Sequence, residues 1–343
     1  MTLDWTRSYQ DIGNNFGYST HQKMLCQALK AAGVRIDSRA RVAVHITTPW
    51  HFEPDPAKFN VLYTMYEGEN IPDAWPEPMN KADLIVVPSS HSKEVLGRYT
   101  DLPIEVCLEG VDPRLYKYHV REHPRDRMFT FLWIGATNPR KGIAHIKVAW
   151  EYWYKLHPEV ARKTQLIMKT TVAGCRQEVV QAPDNVYIDT RVLPLRKDPK
   201  SDWPSLPELY WFAHAFLWPT MGEGFGLPLA EAMSTGLPCI YTPYSGPNDF
   251  LSEREGYPVR FKMDDVVINE TNIGCIHKTR MANPDTGSII ERMLEIYTDY
   301  EAALERGLRA AERVRRELTW DISARRFMEI IEQYTGPKAR MIA

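Results

Sequence analysis

Residues 219–242 read PTMGEGFGLPLAEAMSTGLPCIYT. They follow a short apolar run, Ala215–Trp218, and open as a loop punctuated by Gly222, Gly224 and Gly226. Pro228 marks the start of a helix, because proline's missing N–H has no intrahelical partner in a first turn. The helix pattern Leu229–Thr235 stops at Gly236, and Leu237-Pro238 lead into another apolar run, Cys239–Tyr241. This order predicts a parallel strand–helix–strand unit. Glycines let backbone amides approach a ligand closely, and a helix N-terminus adds partial positive charge, so the loop predicts an anion cradle. Two carboxylates qualify that reading: Glu223 in the loop and Glu231 in the first turn of the helix. A carboxylate repels phosphate, so the pair points to hydroxyl groups to be gripped, as on a sugar or a ribose.

On either side, short apolar runs alternate with amphipathic stretches of helical length. Val42–Ile46, Val61–Met65, Leu84–Val87, Phe129–Ile134, Leu166–Lys169 and Val186–Ile188 are the further strand candidates. Thr20–Ala32, Ser92–Tyr99, Ile143–Leu156 and Leu206–Ala213 carry helix patterns. Continuous apolar runs predict strands buried on both faces, hence parallel sheets with helices on both sides. The series runs twice, and the charged stretch 116–127 (YKYHVREHPRDR) is expected to connect the halves. A glycine-rich turn, residues 13–19, precedes the first helix, with Ser19 or Thr20 as its N-cap. The stretch 300–334 is helical and Arg-rich. Its i,i+4 pairs Glu305/Arg309 and Glu312/Arg316 predict a solvated face.

The chain has 343 residues, and at about 150 residues per domain that is two domains. Lys and Arg number 42 against 44 Asp and Glu, a formal charge of −2. That balance removes the simplest argument for a nucleic-acid binder, though not for a local basic patch. The cysteines (Cys26, Cys107, Cys175, Cys239, Cys275) are scattered and form no CxxC pair, so free thiols in a reducing compartment are expected rather than a zinc or disulfide framework. The opening MTLDWTRSYQ lacks the apolar core of a signal peptide, and no run approaches the ~20 apolar residues that cross a bilayer. A soluble, cytoplasmic protein is the expectation, with association at the membrane periphery left open.

The string Glu223-Gly-Phe-Gly-Leu-Pro, followed by Glu231-Ala-Met and Gly236-Leu-Pro, resembles the E-x7-E signature of retaining glycosyltransferases of family 4. The likeness extends along nearly the whole chain. Phe131-Leu-Trp-Ile-Gly135 with Pro139-Arg-Lys-Gly142 resembles the start of their donor domain, and Glu208-Leu-Tyr-Trp-Phe-Ala213 the helix before the signature strand. Tyr63-Thr-Met-Tyr-Glu67, Ala82-Asp-Leu-Ile-Val-Val-Pro-Ser89 and Leu108-Glu-Gly-Val-Asp112 resemble acceptor-domain strand ends, and Leu318-Thr-Trp320 the closing segment. The resemblance implies an α/β GT-B fold, two facing Rossmann-like domains with parallel sheets. Residues 1–120 would form the acceptor domain, 126–318 the nucleotide-sugar domain, and 319–343 a C-terminal helix crossing back to the first.

It also implies roles. Glu231 would hold the ribose hydroxyls and Glu223 those of the transferred sugar. The amides of Gly224, Phe225, Gly226 and Leu227 would line sugar and diphosphate, and Gly17 would approach the phosphates from the first domain. Lys141 matches the lysine that neutralises the diphosphate, with no metal or other cofactor; no DxD motif is present. One departure stands out: the arginine that often follows the first donor-domain glycine is Ala136 here, and Arg140 is the candidate to replace its charge. Base recognition would fall near Asp189–Leu193. Glu67, His45 and His91, at strand ends of the first half, are the acceptor candidates. The implied activity is retaining transfer of a sugar from a nucleotide-sugar donor to an acceptor hydroxyl by front-face substitution. A glycan or lipid-linked saccharide is the expected acceptor; Trp5, Arg7, Arg35, Arg39 and Arg41 hint at a basic, apolar face for a membrane surface. The alternatives are a hydroxymethylated nucleic-acid base as acceptor, or a non-catalytic nucleotide-sugar-binding protein. A dehydrogenase is disfavoured, since no GxGxxG follows a first strand with an acid about 20 residues on.

Overall fold

The computed structural model describes residues 1–6, 16–170, 185–199, 204–270 and 275–336. A two-stranded pair, β1 (Thr2–Leu3) and β2 (Arg35–Ile36), is continued by Asp4, which bridges to Ala43. β3 (Val42–Ile46), β4 (Phe59–Tyr63), β5 (Leu84–Val87) and β6 (Ile104–Val106) form a parallel sheet in that order. The second sheet takes β7 (Phe129–Ile134), β8 (Thr164–Lys169), β9 (Val186–Asp189), β10 (Ala215–Trp218), β11 (Cys239–Tyr241) and β12 (Tyr257–Pro258). Its order is β12-β11-β10-β7-β8-β9, and every neighbouring pair is parallel. Strand order therefore reverses between β7 and β10, and the crevice at their carboxyl ends is where such sheets take ligands.

The burial explains why the apolar runs were readable. All residues of β3, β5, β10 and β11 are buried, as parallel strands covered on both faces must be. On one face of the first sheet, α1 (Phe16–Ala31) and α10 (Trp320–Thr335) bury Leu25, Leu29, Phe327 and Ile330 against Val44, Val61 and Tyr63. On the other, Trp75, Met79, Val95 and Leu96 cover Leu62, Ile85 and Val87. Around the second sheet, Trp150 and Trp153 of α4 (Ile143–Leu156) share a core with Phe131, Phe216 and residues of α7 (Leu227–Ser234) and α8 (Thr286–Thr298). α9 (Tyr300–Glu317) adds Ala303, Ala310 and Val314. The chain then returns to the first sheet: Val111 N–H donates to Leu318 O at 2.8 Å, and Trp320 begins α10. Gly110 lies so close beneath this crossing that a Cβ would strike the Trp320 backbone nitrogen. The fold is the expected one, mixed α/β with facing parallel sheets.

Several expectations are corrected. The first helix starts at Phe16, so Gly17, Ser19 and Thr20 lie within it and neither Ser19 nor Thr20 is a cap; residues 13–15 of the expected glycine turn fall outside the described residues. Cys175 and Arg7 do too. The helix after the glycine loop begins at Leu227, two residues before the apolar pattern suggested, with left-handed Gly226 (φ 113°) as its N-cap. The stretch 116–127 carries no helix or strand, yet it is tied down. Arg121 donates to the carbonyls of Ala213, Thr235 and Tyr210 at 3.1, 2.7 and 2.9 Å, and this burial lowers its pKa to about 10. The sequence pattern also did not disclose an antiparallel ribbon, β13 (Phe261–Glu270) with β14 (Cys275–Pro284). Residues 261–268 of β13 are all at least partly exposed, while β14 buries Thr279, Met281 and Ala282, so β13 lacks the long apolar run of a covered strand.

Gly307 supplies a stability prediction. In an ordinary helix interior Gly→Ala is worth up to ~1 kcal/mol in favour of Ala. Here a Cβ on Gly307 of α9 would run into the backbone oxygen of Gly236, which leaves α7 at φ 76°. Gly307→Ala is expected to destabilise by roughly 1–3 kcal/mol through this overpacking. Denaturant unfolding checks the sign; a variant as stable as the parent would show that the helices separate freely.

Candidate active site

Two loops meet at the carboxyl ends of β7 and β10. After β7 the chain turns through Pro139–Lys141, a single turn capped by Asn138, whose Oδ1 accepts the Arg140 N–H at 2.9 Å. Gly142 leaves it left-handed (φ 77°), and a side chain there would strike Pro219 O. The Arg140 carbonyl accepts Met221 N–H at 2.8 Å, and the Lys141 carbonyl accepts the Trp133 indole N–H at 3.2 Å. Both cations thus hang from a backbone fixed to the glycine loop.

Their charges converge on Glu223. Lys141 Nζ lies 2.9 and 2.8 Å from the two Glu223 carboxyl oxygens. Arg140 Nη1 donates to Gly222 O at 2.6 Å and stands 3.5 Å from Glu223, while Nη2 pairs with Glu67 at 3.0 Å. Arg140 is therefore in the same cluster as Lys141, where it can supply a second cation although Ala136 carries none. Burial holds the Lys141 ammonium below the usual lysine range, with Glu223 opposing that shift. One turn into α7, Glu231 accepts the Tyr210 hydroxyl at 2.7 Å and bonds to Tyr116. Burial raises its pKa to about 7. Two cations and a carboxylate thus meet at a helix N-terminus, with a second carboxylate one turn further on, a set of groups suited to anions and hydroxyls.

Gly222 and Gly224 also answer to packing within the chain. A Cβ on Gly222 would approach Glu67 O at 2.6 Å, and one on Gly224 would approach Met65 Sδ at 2.6 Å. They let the loop press against residues following β4 in the first half, rather than only against a ligand. Gly226 retains the conformational role. Phe225 packs its ring on Phe250, with centroids 4.7 Å apart, so only its backbone faces the loop.

The first half supplies the opposing wall. Gly17 is exposed in the first turn of α1. Its neighbour Tyr18 accepts the Met65 N–H at 3.3 Å, and Met65 touches Gly224, so this end of α1 stands beside the glycine loop. Glu67 pairs with Arg140 and so joins the same charge cluster as Glu223. His91 Nε2 lies 3.0 Å from Gly68 O and its ring meets Tyr244 edge-on at 5.2 Å, at the seam between the halves. His45 is corrected: it lies buried within β3 rather than beyond its end, with Nε2 3.2 Å from Asn60 Oδ1 and its ring against Phe52, where it packs within the sheet. Asp189 and Arg191, at the expected base-binding edge, pair with each other at 2.7 Å. The ribbon closes the seam further, as Thr279 Oγ1 accepts the N–H groups of Glu69 and Asn70, both at 3.0 Å.

Two residues not singled out from the sequence belong here. His21 of α1 and Glu109, just after β6, are buried with Nδ1 and Oε1 3.5 Å apart. Glu109 lies within electrostatic reach of Glu223 and Lys141. A carboxylate at a strand end was the available signal, but its nearness to His21 is created by packing alone.

Comparison with known proteins gives this geometry a context. The family model for family 4 glycosyltransferases in conflict systems matches residues 103–327. O-antigen chain mannosyltransferase B of Escherichia coli is 34% identical over 180 residues, 48% of this chain and 44% of that protein. A sucrose synthase of Melioribacter roseus is 27% identical over 119 residues, 35% of this chain and 13% of that protein. The chain thus spans less than half the length of these curated relatives. Among solved structures, sucrose-phosphate synthase of Thermosynechococcus elongatus superposes with a TM-score of 0.62 at 18% identity, covering 93% of this chain and 79% of its own. Anabaena HepE in complex with UDP gives 0.62 at 13% identity, covering 90% and 82%. Among the described residues no helix is long and apolar enough to cross a membrane.

Proposed function

The chain belongs to the family 4 glycosyltransferases in conflict systems, and on that premise we propose that it moves a sugar from a nucleotide-sugar donor to an acceptor hydroxyl with retention. The observation that carries this reading is the convergence of Lys141 and Arg140 on Glu223 at the head of α7, with Glu231 one turn further. The bond between the anomeric carbon and the diphosphate oxygen breaks, and the acceptor oxygen bonds to the same face of that carbon. The acceptor proton passes to the departing phosphate oxygen. Charge grows on that diphosphate, and the two cations and the amides of Gly226 and Leu227 offset it. Glu223, held by both cations, is a clamp for sugar hydroxyls rather than a nucleophile. Glu231 takes the ribose, and the reaction needs no metal or cofactor.

A saccharide acceptor, glycan or lipid-linked, is the reading favoured by similarity to a mannosyltransferase of the O-antigen chain. Incubation with UDP-glucose, UDP-GlcNAc and GDP-mannose and a panel of oligosaccharides, read by mass spectrometry, should add one hexose or amino-hexose unit to an acceptor. Pulldowns on liposomes and on hydroxymethylated DNA at two salt concentrations test the membrane and nucleic-acid alternatives. Transfer to DNA alone would overturn the saccharide reading.

A further inference from the structure

The buried His21–Glu109 pair lies beside the cleft, and the transfer mechanism gives it no task. Glu109 is 3% exposed and His21 0%. Although 3.5 Å apart, they are not aligned as a hydrogen bond: Glu109 Oε2 and both ring nitrogens of His21 have no partner among the described residues. Folded proteins leave few buried polar atoms unmatched, and three in one pair call for a reason.

Charge and position narrow it. Burial raises the Glu109 pKa to about 8, with Glu223 adding to the rise and Lys141 opposing it, and burial lowers that of His21 to about 3. At neutral pH both are uncharged, so Glu109 presents an O–H to donate and a carbonyl oxygen to accept. That complement of one donor and one acceptor matches a hydroxyl group, which itself both donates and accepts. Gly110 clamps the following backbone beneath Trp320, and the His21 ring is wedged edge-on against Tyr63 at 4.4 Å. The backbone after Glu109 and the His21 ring are thus both held by packing, within electrostatic reach of Glu223 and Lys141.

We propose that Glu109, oriented by His21, binds a hydroxyl of the carbohydrate held between the sheets, from either the donor sugar or the acceptor. The assignment rests on the glycosyl-transfer reading above and adds a sugar-recognition residue from the first half of the chain. A site built to bond a hydroxyl discriminates strongly against an analogue that lacks it, because its own polar atoms are then left unpaired.

The test compares E109A and E109Q with the parent protein, using whichever of UDP-glucose, UDP-GlcNAc and GDP-mannose the parent turns over. Hydrolysis without acceptor and transfer to an oligosaccharide form two arms. E109A is expected to raise the KM of one substrate about tenfold or more, and the arm in which it rises tells donor from acceptor. Binding of free UDP or GDP should stay within twofold, and E109Q, which keeps a donor and an acceptor, should recover most of the loss. KM values for donor and acceptor that both stay at the parent's, or nucleotide affinity falling in step with KM, would overturn the proposal. Where E109A does not fold, E109Q with monodeoxy donors and acceptors decides. One deoxy position should cost the parent about tenfold and E109Q distinctly less; identical penalties everywhere would overturn it. A parent protein that turns over none of these nucleotide sugars overturns the functional reading instead.

Discussion

Lys141→Ala is expected to lower kcat for nucleotide-sugar turnover by about 10²–10³-fold, the usual cost of removing one preorganised stabiliser of developing negative charge. Lys141 is the closest cation to Glu223 and hangs from a turn locked by Asn138, Gly142 and the Trp133 indole. Its charge is held where diphosphate charge would grow, so little reorganisation is needed when the bond breaks. Arg140 remains in the variant, 3.5 Å from Glu223, and keeps that carboxylate from being left wholly unpaired. The fold should therefore survive, with a thermal unfolding midpoint close to the parent's. The effect should fall on kcat more than on KM, because the leaving group is more negative in the transition state than in the bound donor. Near-normal kcat in a folded Lys141→Ala protein would remove this lysine from the site.

Glu231→Gln is expected to weaken binding of the donor and of the free nucleotide together, by about tenfold or more. A carboxylate accepting hydroxyl hydrogens makes charge-assisted bonds worth roughly twice their neutral counterparts, and an amide replaces them with neutral ones. The pH dependence gives the sharper reading. Because burial holds the Glu231 pKa at about 7, the carboxyl is largely protonated below that pH and ionised above it. Nucleotide affinity should therefore decline as pH falls from 8 to 5.5, a slope that Glu231→Gln should lack. The comparison with the variant also separates this effect from titration of the nucleotide's own phosphate. Calorimetric titration at several pH values measures it, and parallel pH profiles for parent and variant would contradict the ribose assignment.

The strands were legible where both faces are buried, since β5, β10 and β11 are unbroken apolar runs and β3 is broken only by His45. Boundaries set by backbone conformation were less so. Gly226 caps α7 through its left-handed φ, so helix begins at Leu227, before the first buried apolar residue of the pattern, Leu229. Phe16 likewise starts α1 ahead of the periodic stretch. Within the site, residues close in sequence were readable: Glu223, Glu231, Arg140 and Lys141 lie on two loops of recognisable spacing. Contacts made across the cleft were not. Glu67 meets Arg140 only because the two sheets face each other, and Glu109 meets His21 only because α1 packs beside the end of β6 within the first half. The same facing explains why Gly222 and Gly224 are glycine, a requirement set by Glu67 and Met65 and invisible along the chain.

The most direct test follows the anomeric proton by NMR as the purified protein consumes UDP-glucose, UDP-GlcNAc or GDP-mannose in the presence of an oligosaccharide acceptor. Release of the nucleoside diphosphate, with a product bearing the donor's anomeric configuration, is the result expected from a front-face transfer at Lys141, Arg140 and Glu223. A product of inverted configuration, or no consumption of any donor, would contradict it.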